Sequence, residues 1–181
     1  MKVLVMLSGG VESSALVEYA IRNKYEVECL HVVWNNKTAT EGKHARKIAE
    51  FYKVPYSEMR IEADEFRKYS KVKRKDSVWW ACGLLTYAPL GGYNEVWFGT
   101  HRDEGSPTSL GPAGVVLILK SVGCDTEIQS PLHMCSKQEQ WSILPELIKK
   151  IVTTCNNPGK NDKPCGVCEK CLEWKSFAIS V

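Results

Sequence analysis

The chain has 181 residues, of which 44% are hydrophobic, and its 24 Lys and Arg against 21 Asp and Glu give a formal net charge of +3. This composition is typical of a folded globular domain and excludes an intrinsically disordered chain. No apolar run reaches the roughly 20 residues of a membrane helix, and the net charge is too small to indicate nucleic-acid binding. The apolar start of the chain is also too short for a secretory signal, so we expect a cytoplasmic protein.

The apolar pattern predicts strands that alternate with helices along the chain. Predicted strands cover residues 2–7, 27–33, 54–61, 95–99 and 128–132. Predicted helices cover residues 12–23, 41–52, 77–90, 112–122 and 137–151, with a loop over 100–112. This alternation indicates an α/β fold with a parallel sheet and helices on both faces. Ligands of such sheets bind beyond the carboxyl ends of the strands, so the loop after the first strand is the first candidate site.

This candidate loop joins the first strand to the first helix and is rich in glycine and serine. It consists of Leu7, Ser8, Gly9, Gly10, Val11, Glu12, Ser13 and Ser14. Glycines allow backbone N–H groups to converge on an anion, and a helix N-terminus with serine hydroxyls adds further donors for phosphate oxygens. The loop has neither the Gly-Lys-Ser/Thr run of a P-loop nor the third spaced glycine of a dinucleotide site. The alternative interpretation is a tight turn with an ordinary serine cap.

The loop resembles the Ser-Gly-Gly-x-Asp-Ser segment of the PP-loop ATP-pyrophosphatase superfamily, whose fold is adenine nucleotide α-hydrolase-like. Ser8, Gly9, Gly10 and Ser13 match that segment, and Glu12 stands where the superfamily has Asp. The resemblance implies that residues 7–14 contact the phosphates of ATP, with Glu12 near Mg²⁺. It also implies activation of a carboxyl or carbonyl oxygen with AMP and release of pyrophosphate.

A second candidate site is formed by four cysteines near the end of the sequence. They are Cys155, Cys165, Cys168 and Cys171. Two-residue spacers let neighbouring sulfurs converge, and four thiolates are a usual ligand set of structural zinc. An iron–sulfur cluster uses the same ligands and is the main alternative. Chance clustering of buried free cysteines is disfavoured, because Asn, Pro, Gly, Asp and Lys separate them.

The cysteine segment resembles the zinc motif of the QueC family of 7-cyano-7-deazaguanine synthases. Pro131-Leu132 followed by Ser136-Lys137-Gln138-Glu139 also resembles the segment before that family's last helix. The resemblance implies ATP-dependent conversion of 7-carboxy-7-deazaguanine and ammonia to 7-cyano-7-deazaguanine through an adenylated intermediate. Lys75 stands where the family has Arg, and Glu12 and Lys75 are the expected catalytic residues. The residues expected on the substrate side are His101, Arg102, Asp103 and Lys137.

These resemblances also give an expected organisation. Residues 1–152 are expected to form the PP-loop domain, with residues 153–181 as a zinc-binding segment packed on it. A homodimer is implied by the family. Two other functions stay open: a related enzyme that modifies deazaguanine in DNA, tRNA or protein or stops at the amide, and a non-catalytic zinc protein that binds nucleotide. Pyrophosphate release and the identity of the product distinguish the three.

Overall fold

The computed structural model describes residues 1–62, 76–102, 110–155, 157–159 and 163–178. Within these ranges the strands are β1 (Lys2–Met6), β2 (Glu26–Val33), β3 (Tyr56–Arg60), β4 (Glu95–Trp97) and β5 (Glu127–Gln129). The helices there are α1 (Val11–Arg22), α2 (Asn36–Tyr52), α3 (Asp76–Gly91), α4 (Leu110–Ser121), α5 (Lys137–Ser142), α6 (Glu146–Lys149) and α7 (Glu169–Ala178). In this part of the chain, no helix is both long enough and apolar enough to cross a membrane.

The five strands form one parallel sheet in the order β3-β2-β1-β4-β5. Val3 of β1 is aligned with Val27 of β2 on one side and with Glu95 of β4 on the other. The chain builds the sheet outward from β1 in one direction and then crosses over to β4. The carboxyl ends of β1 and β4 therefore border the switch point, where parallel α/β sheets bind ligands.

Alternate residues of β1 enter two separate cores, because successive side chains of a strand point to opposite faces. Val3 and Val5 pack with α1 and α2 on one face, where the segment from Trp141 to Val152 also packs. Leu4 and Met6 pack with α3 and α4 on the other face. Helices thus cover both faces of the sheet, and the predicted α/β class is confirmed.

Two helix boundaries differ from the sequence prediction for local reasons. The helix predicted from residue 41 begins at Asn36, because Asn35 and Thr38 form a capping box in which each side chain bonds the other's backbone N–H. The single helix predicted over residues 137–151 is wrong: α5 ends at Ser142 and α6 begins after Pro145. Proline has no N–H for a helix interior and is favoured where a helix starts.

The cysteine-rich tail contains a further helix, α7, that the apolar pattern did not identify. This helix begins at Glu169, directly after the third cysteine of the cluster, and contains the fourth. Trp174 of α7 makes an edge-to-face contact with Trp141 of α5, with ring centroids 4.9 Å apart. The tail is therefore packed against the segment that precedes it.

Candidate nucleotide site and cysteine cluster

The loop after β1 requires glycine at its first turn. Gly9 has a φ of 81°, in the left-handed region that suits glycine. A Cβ at this position would lie 2.9 Å from the carbonyl oxygen of Glu41 and 3.0 Å from the backbone nitrogen of Ala45. The loop therefore lies directly against the backbone of α2. The backbone N–H of Thr153 donates to the Gly9 carbonyl over 2.9 Å and fixes the loop from the opposite side.

The serine hydroxyls of the loop bond to one another and to the loop backbone. The hydroxyls of Ser8 and Ser13 lie 3.0 Å apart, and the backbone N–H of Ser8 donates to the Ser13 hydroxyl. The Ser14 hydroxyl donates to the Gly10 carbonyl over 2.6 Å, and Ser14 is fully buried. Ser8 and Gly10 border the open pocket, whereas Ser14 stabilises the turn into α1.

Two further residues of the loop belong to the hydrophobic core. Leu7 is 1% exposed and Val11 is 0% exposed, and both pack with the core on the α1 face of the sheet. The backbone N–H of Leu7 donates to the carbonyl of Leu30 in β2. These two side chains anchor the loop to the sheet, so neither of them is available to a ligand.

Glu12, in the first turn of α1, makes an ion pair with a distant lysine. Its Oε1 lies 2.9 Å from Nζ of Lys137, the first residue of α5. The same oxygen is 3.7 Å from Nε2 of His101, a residue only 3% exposed that follows β4. A Cβ built on Gly10 would lie 3.4 Å from the other carboxylate oxygen, Oε2. One oxygen of Glu12 therefore contacts Lys137, and the other lies near the glycine loop.

Lys137 is almost completely buried and has a second carboxylate partner. Its Nζ is 2.9 Å from Oε2 of Glu173 in α7, and that carboxylate is 3.5 Å from Nζ of Lys170. Burial alone would lower the pKa of Lys137, but the two carboxylates outweigh it and raise that pKa. Burial likewise opposes the charge of Glu173, and its bonds with Lys137 lower the pKa of its carboxyl group. Both residues are therefore held in their charged forms.

A pocket of about 200 Å³ opens over the glycine loop. Its lining is polar and carries three lysines, and it comprises Ser8, Gly10, Glu12, Lys37, Glu41, Gly99, Lys137, Thr153, Thr154 and Lys170. Hydroxyl groups, backbone N–H groups at the start of α1 and ammonium groups are the donors that bind phosphate oxygens. The arrangement is chemically suited to a phosphate-bearing ligand at the switch point of the sheet.

The other residues named from the sequence are distributed differently. Arg102 is exposed and has its guanidinium 3.6 Å from Glu139 and 3.5 Å from the Met134 carbonyl. It therefore contacts the start of α5. Lys75 and Asp103 lie outside the described residues.

Sequence reasoning missed several residues of the pocket. Lys37, Thr153 and Lys170 line it, and Glu173 bonds Lys137, another lining residue. Lys170 lies between two of the cysteines, where its charge indicates compensation of thiolates and gives no hint of a pocket. No local pattern identifies these residues, because they come together only when the tail packs against α5.

The four predicted cysteines are brought together. Every pair among the sulfur atoms of Cys155, Cys165, Cys168 and Cys171 is separated by no more than 4.8 Å. The sulfurs of Cys165 and Cys171 are 4.0 Å apart, and the backbone N–H of Cys165 donates to the Cys155 sulfur. Backbone N–H groups of Val167 and Cys168 lower the pKa of Cys165, which favours its thiolate form. The group can hold one metal ion.

The family comparison and two curated relatives agree. The family model described as "Queuosine biosynthesis protein QueC" matches residues 2–81, which include the glycine loop. The 7-cyano-7-deazaguanine synthase of Archaeoglobus fulgidus is 25% identical over 154 residues, which is 84% of this chain and 57% of that protein. The 7-cyano-7-deazaguanine synthase 2 of Sulfurisphaera tokodaii is 39% identical over 67 residues, 36% of this chain and 14% of that protein. These matches confirm the predicted resemblance to the QueC family.

The match to the Archaeoglobus protein spans little more than half of its length. Solved structures extend the likeness to the fold. The U34-tRNA thiolase NcsA from Methanococcus maripaludis, determined with its 4Fe-4S cluster, aligns over 99% of this chain and 66% of its own, with a TM-score of 0.60 and 15% identity. A predicted tRNA methyltransferase subunit from Methanocaldococcus jannaschii aligns over 74% of this chain and 69% of its own, with a TM-score of 0.52 and 16% identity. At these identities the likeness concerns the fold alone.

Proposed function

We propose that this QueC-like chain binds ATP over the loop of residues 7–14 and converts 7-carboxy-7-deazaguanine and ammonia to 7-cyano-7-deazaguanine. One observation carries the proposal: a glycine- and serine-rich loop, lined by lysines and placed at the switch point of the sheet, falls inside the region that resembles QueC. The names of the two archaeal relatives supply the substrate class.

The pocket would hold the phosphates through neutral and charged donors together. Ser8 and Gly10 supply hydroxyl and backbone groups, and α1 directs the positive end of its dipole at the loop. Lys37, Lys137 and Lys170 supply positive charge. Donors already in position stabilise the charge that develops on a departing pyrophosphate without reorganisation during the reaction.

The proposed reaction needs no nucleophile from the protein. A carboxylate oxygen of the substrate attacks the α-phosphorus of ATP, and the bond to pyrophosphate breaks. Ammonia then attacks the activated carbonyl carbon and loses a proton, while AMP leaves and an amide forms. A second ATP activates the amide oxygen in the same way. Loss of the amide protons and of AMP then leaves the nitrile.

Glu12 fits a role at Mg²⁺. One of its oxygens bonds Lys137, and the other lies on the side of Gly10, where it faces the loop. Mg²⁺ prefers carboxylate and phosphate oxygens and, when bound, neutralises charge on the phosphates. In this proposal Lys137 fixes the orientation of the Glu12 carboxylate. His101, beside the same carboxylate, lies on the substrate side together with Lys137.

We propose zinc as the ion of the cysteine group. Zinc–sulfur bonds of 2.3 Å in a tetrahedron separate the sulfurs by about 3.8 Å. The 4.0 Å separation of Cys165 and Cys171, and the upper limit of 4.8 Å for all pairs, support a single ion of this kind. An iron–sulfur cube places four irons and four sulfides between its cysteines, which requires wider spacing. With four protein ligands the zinc would be structural.

The decisive experiment is incubation of purified protein with 7-carboxy-7-deazaguanine, ATP, Mg²⁺ and ammonium, followed by mass spectrometry and a pyrophosphate assay. The nitrile with pyrophosphate is the expected result. An amide end product would favour an enzyme that stops after the first activation. No pyrophosphate with this substrate, despite ATP binding, would overturn the proposed reaction, and no pyrophosphate with any substrate would favour a nucleotide-binding module.

A matched pair of glycine variants links any activity to the loop. Gly10→Val places a branched side chain where phosphate must approach, and it should abolish pyrophosphate release. Gly114→Val makes the same change in α4, where an added Cβ meets no atom of the described residues within 4 Å, and it should leave the rate unchanged. Equal rates in the two variants would remove the loop from the mechanism.

A further inference from the structure

The metal-binding segment forms part of the nucleotide pocket. Lys170 lies between Cys168 and Cys171 in the sequence and lines the pocket beside the glycine loop. Glu173, half a turn beyond Cys171 on α7, places its Oε2 within 2.9 Å of Lys137. The same short helix therefore carries a metal ligand, a lysine that lines the pocket and a carboxylate that bonds Lys137.

Alternating charges connect this helix to the glycine loop. Glu12 of α1, Lys137 of α5, Glu173 of α7 and Lys170 of α7 follow one another at 2.9, 2.9 and 3.5 Å. The Lys137 side chain is only 5% exposed, so water screens its two carboxylate bonds weakly. Removal of one partner of a buried ion pair leaves the other charge without compensation. A displacement of Glu173 would therefore leave Lys137 with Glu12 as its remaining carboxylate partner in this series and disturb both residues.

The position of α7 depends on the cysteine group. Cys168 precedes the first residue of this helix, and Cys171, which is 5% exposed, lies in its first turn. Both sulfurs converge with those of Cys155 and Cys165 on one point. Because a metal site rarely exists before folding, the free energy of metal binding stabilises the folded arrangement of its ligands. An ion there would fix the start of α7, and with it Lys170 and Glu173.

We propose that metal binding at the four cysteines and nucleotide binding at the glycine loop are thermodynamically coupled, with Glu173 as the positioning residue that joins them. The inference rests on the proposed nucleotide site and adds a link between that site and the metal. Coupling between two sites is typically about 5- to 150-fold and is reciprocal. Nucleotide therefore tightens metal binding by the same factor by which metal tightens nucleotide binding.

Equilibrium competition for Zn²⁺ against a chromophoric chelator measures this factor on the holoprotein. The titration is run with and without a saturating, non-hydrolysable ATP analogue and Mg²⁺. In the wild-type chain we expect the analogue to tighten zinc binding about 10-fold. Glu173→Gln should reduce the factor to near 1. Glu169→Gln, the same change at an exposed position of α7, should keep the wild-type factor.

One folding control, one reciprocal measurement and three outcomes separate the proposals. Circular dichroism melts establish that each variant is folded. If Glu173→Gln does not fold, the coupling is measured in the wild-type chain instead, as its affinity for the analogue at high and at low free zinc. An analogue that does not bind the wild-type chain refutes the proposed nucleotide site itself. An analogue that binds while zinc affinity stays constant overturns the coupling alone. If the analogue tightens zinc binding in Glu173→Gln by the same factor as in the wild-type chain, Glu173 does not join the two sites.

Discussion

Gly99 is the position where the smallest change should disturb the nucleotide site most. This residue follows β4 and crosses directly over the first turn of α1. A Cβ at Gly99 would lie 2.7 Å from the backbone nitrogen of Ser13 and 2.8 Å from two carbon atoms of Glu12. Because the obstructing atoms are backbone or next to it, no rotation of a flexible side chain relieves the overlap in Gly99→Ala.

The size of the effect follows from these contacts. Ordinary van der Waals contact of a Cβ begins at 3.4 Å, so β4 and α1 must separate by roughly 0.7 Å. Overpacking of this kind destabilises a protein by about 1–3 kcal/mol. Each kcal/mol lowers Tm by about 2–4 °C in a chain of this length. The displaced atoms belong to the phosphate loop, so affinity for an ATP analogue should also fall.

Gly114→Ala is the matched control in α4. The chemical change is the same, but an added Cβ meets nothing within 4 Å among the residues that the structure describes. Ala is a better helix former than Gly by about 1 kcal/mol, so this variant should be more stable than the wild-type chain. Nucleotide affinity should not change.

Urea unfolding followed by circular dichroism measures stability, and calorimetry with the analogue measures affinity. We expect Gly99→Ala to be less stable, and Gly114→Ala to be more stable, than the wild-type chain. If Gly99→Ala keeps both wild-type stability and wild-type affinity, the close approach of β4 to α1 is not a constraint and the described site geometry is wrong.

Four further predictions concern charge, pH, metal and assembly. Glu12→Asp should keep turnover because it restores the residue of the PP-loop motif. Glu12→Gln should lower turnover far more than it lowers ATP affinity. Unchanged turnover in both variants would show that Glu12 has no catalytic role. The pKa of Glu173 is lowered from 4.5, so its stabilising effect is present above pH 4.5 and is lost as pH falls through the folded-state value. The free energy of unfolding should therefore fall less steeply with decreasing pH in Glu173→Gln than in the wild-type chain. Identical slopes in the two proteins would contradict the ion pair. Metal analysis should find one zinc per chain, and Cys171→Ser should lose the ion and unfold at lower temperature; iron with a visible absorbance band would refute zinc. Light scattering at micromolar concentration tests the expected homodimer, and a monomer mass would refute it.

Local signals account for what could be predicted from the sequence. The continuous apolar run before Ser8 and the paired glycines after it define a buried strand and a sharp turn within ten residues. The helices could be predicted because apolar residues recur at helical spacing along the face that each helix buries. This pattern is visible in the sequence without knowing which element covers that face. The spacing of the cysteines likewise encodes their convergence, because short spacers hold neighbouring sulfurs close.

Helix ends were less predictable, because caps and breaks compete with the apolar period. The period continues through residues 137–151, and Trp141, Leu144 and Ile148 are buried as it predicts. Pro145 nevertheless divides the segment into two helices. The apolar period reports which side chains are buried, and it does not report whether the backbone between them is continuous.

The sequence by itself determined the alternation of strands and helices, the glycine loop after the first strand and the cysteine group, because each is specified by residues that are neighbours in the chain. Only the tertiary structure decided the charge pattern of the pocket. Lys137 and Glu12 are separated by most of the chain, yet their side chains lie 2.9 Å apart. Glu173 joins them only because the tail helix packs on α5. Ion pairs act through distance in space, so no spacing along the sequence could identify them.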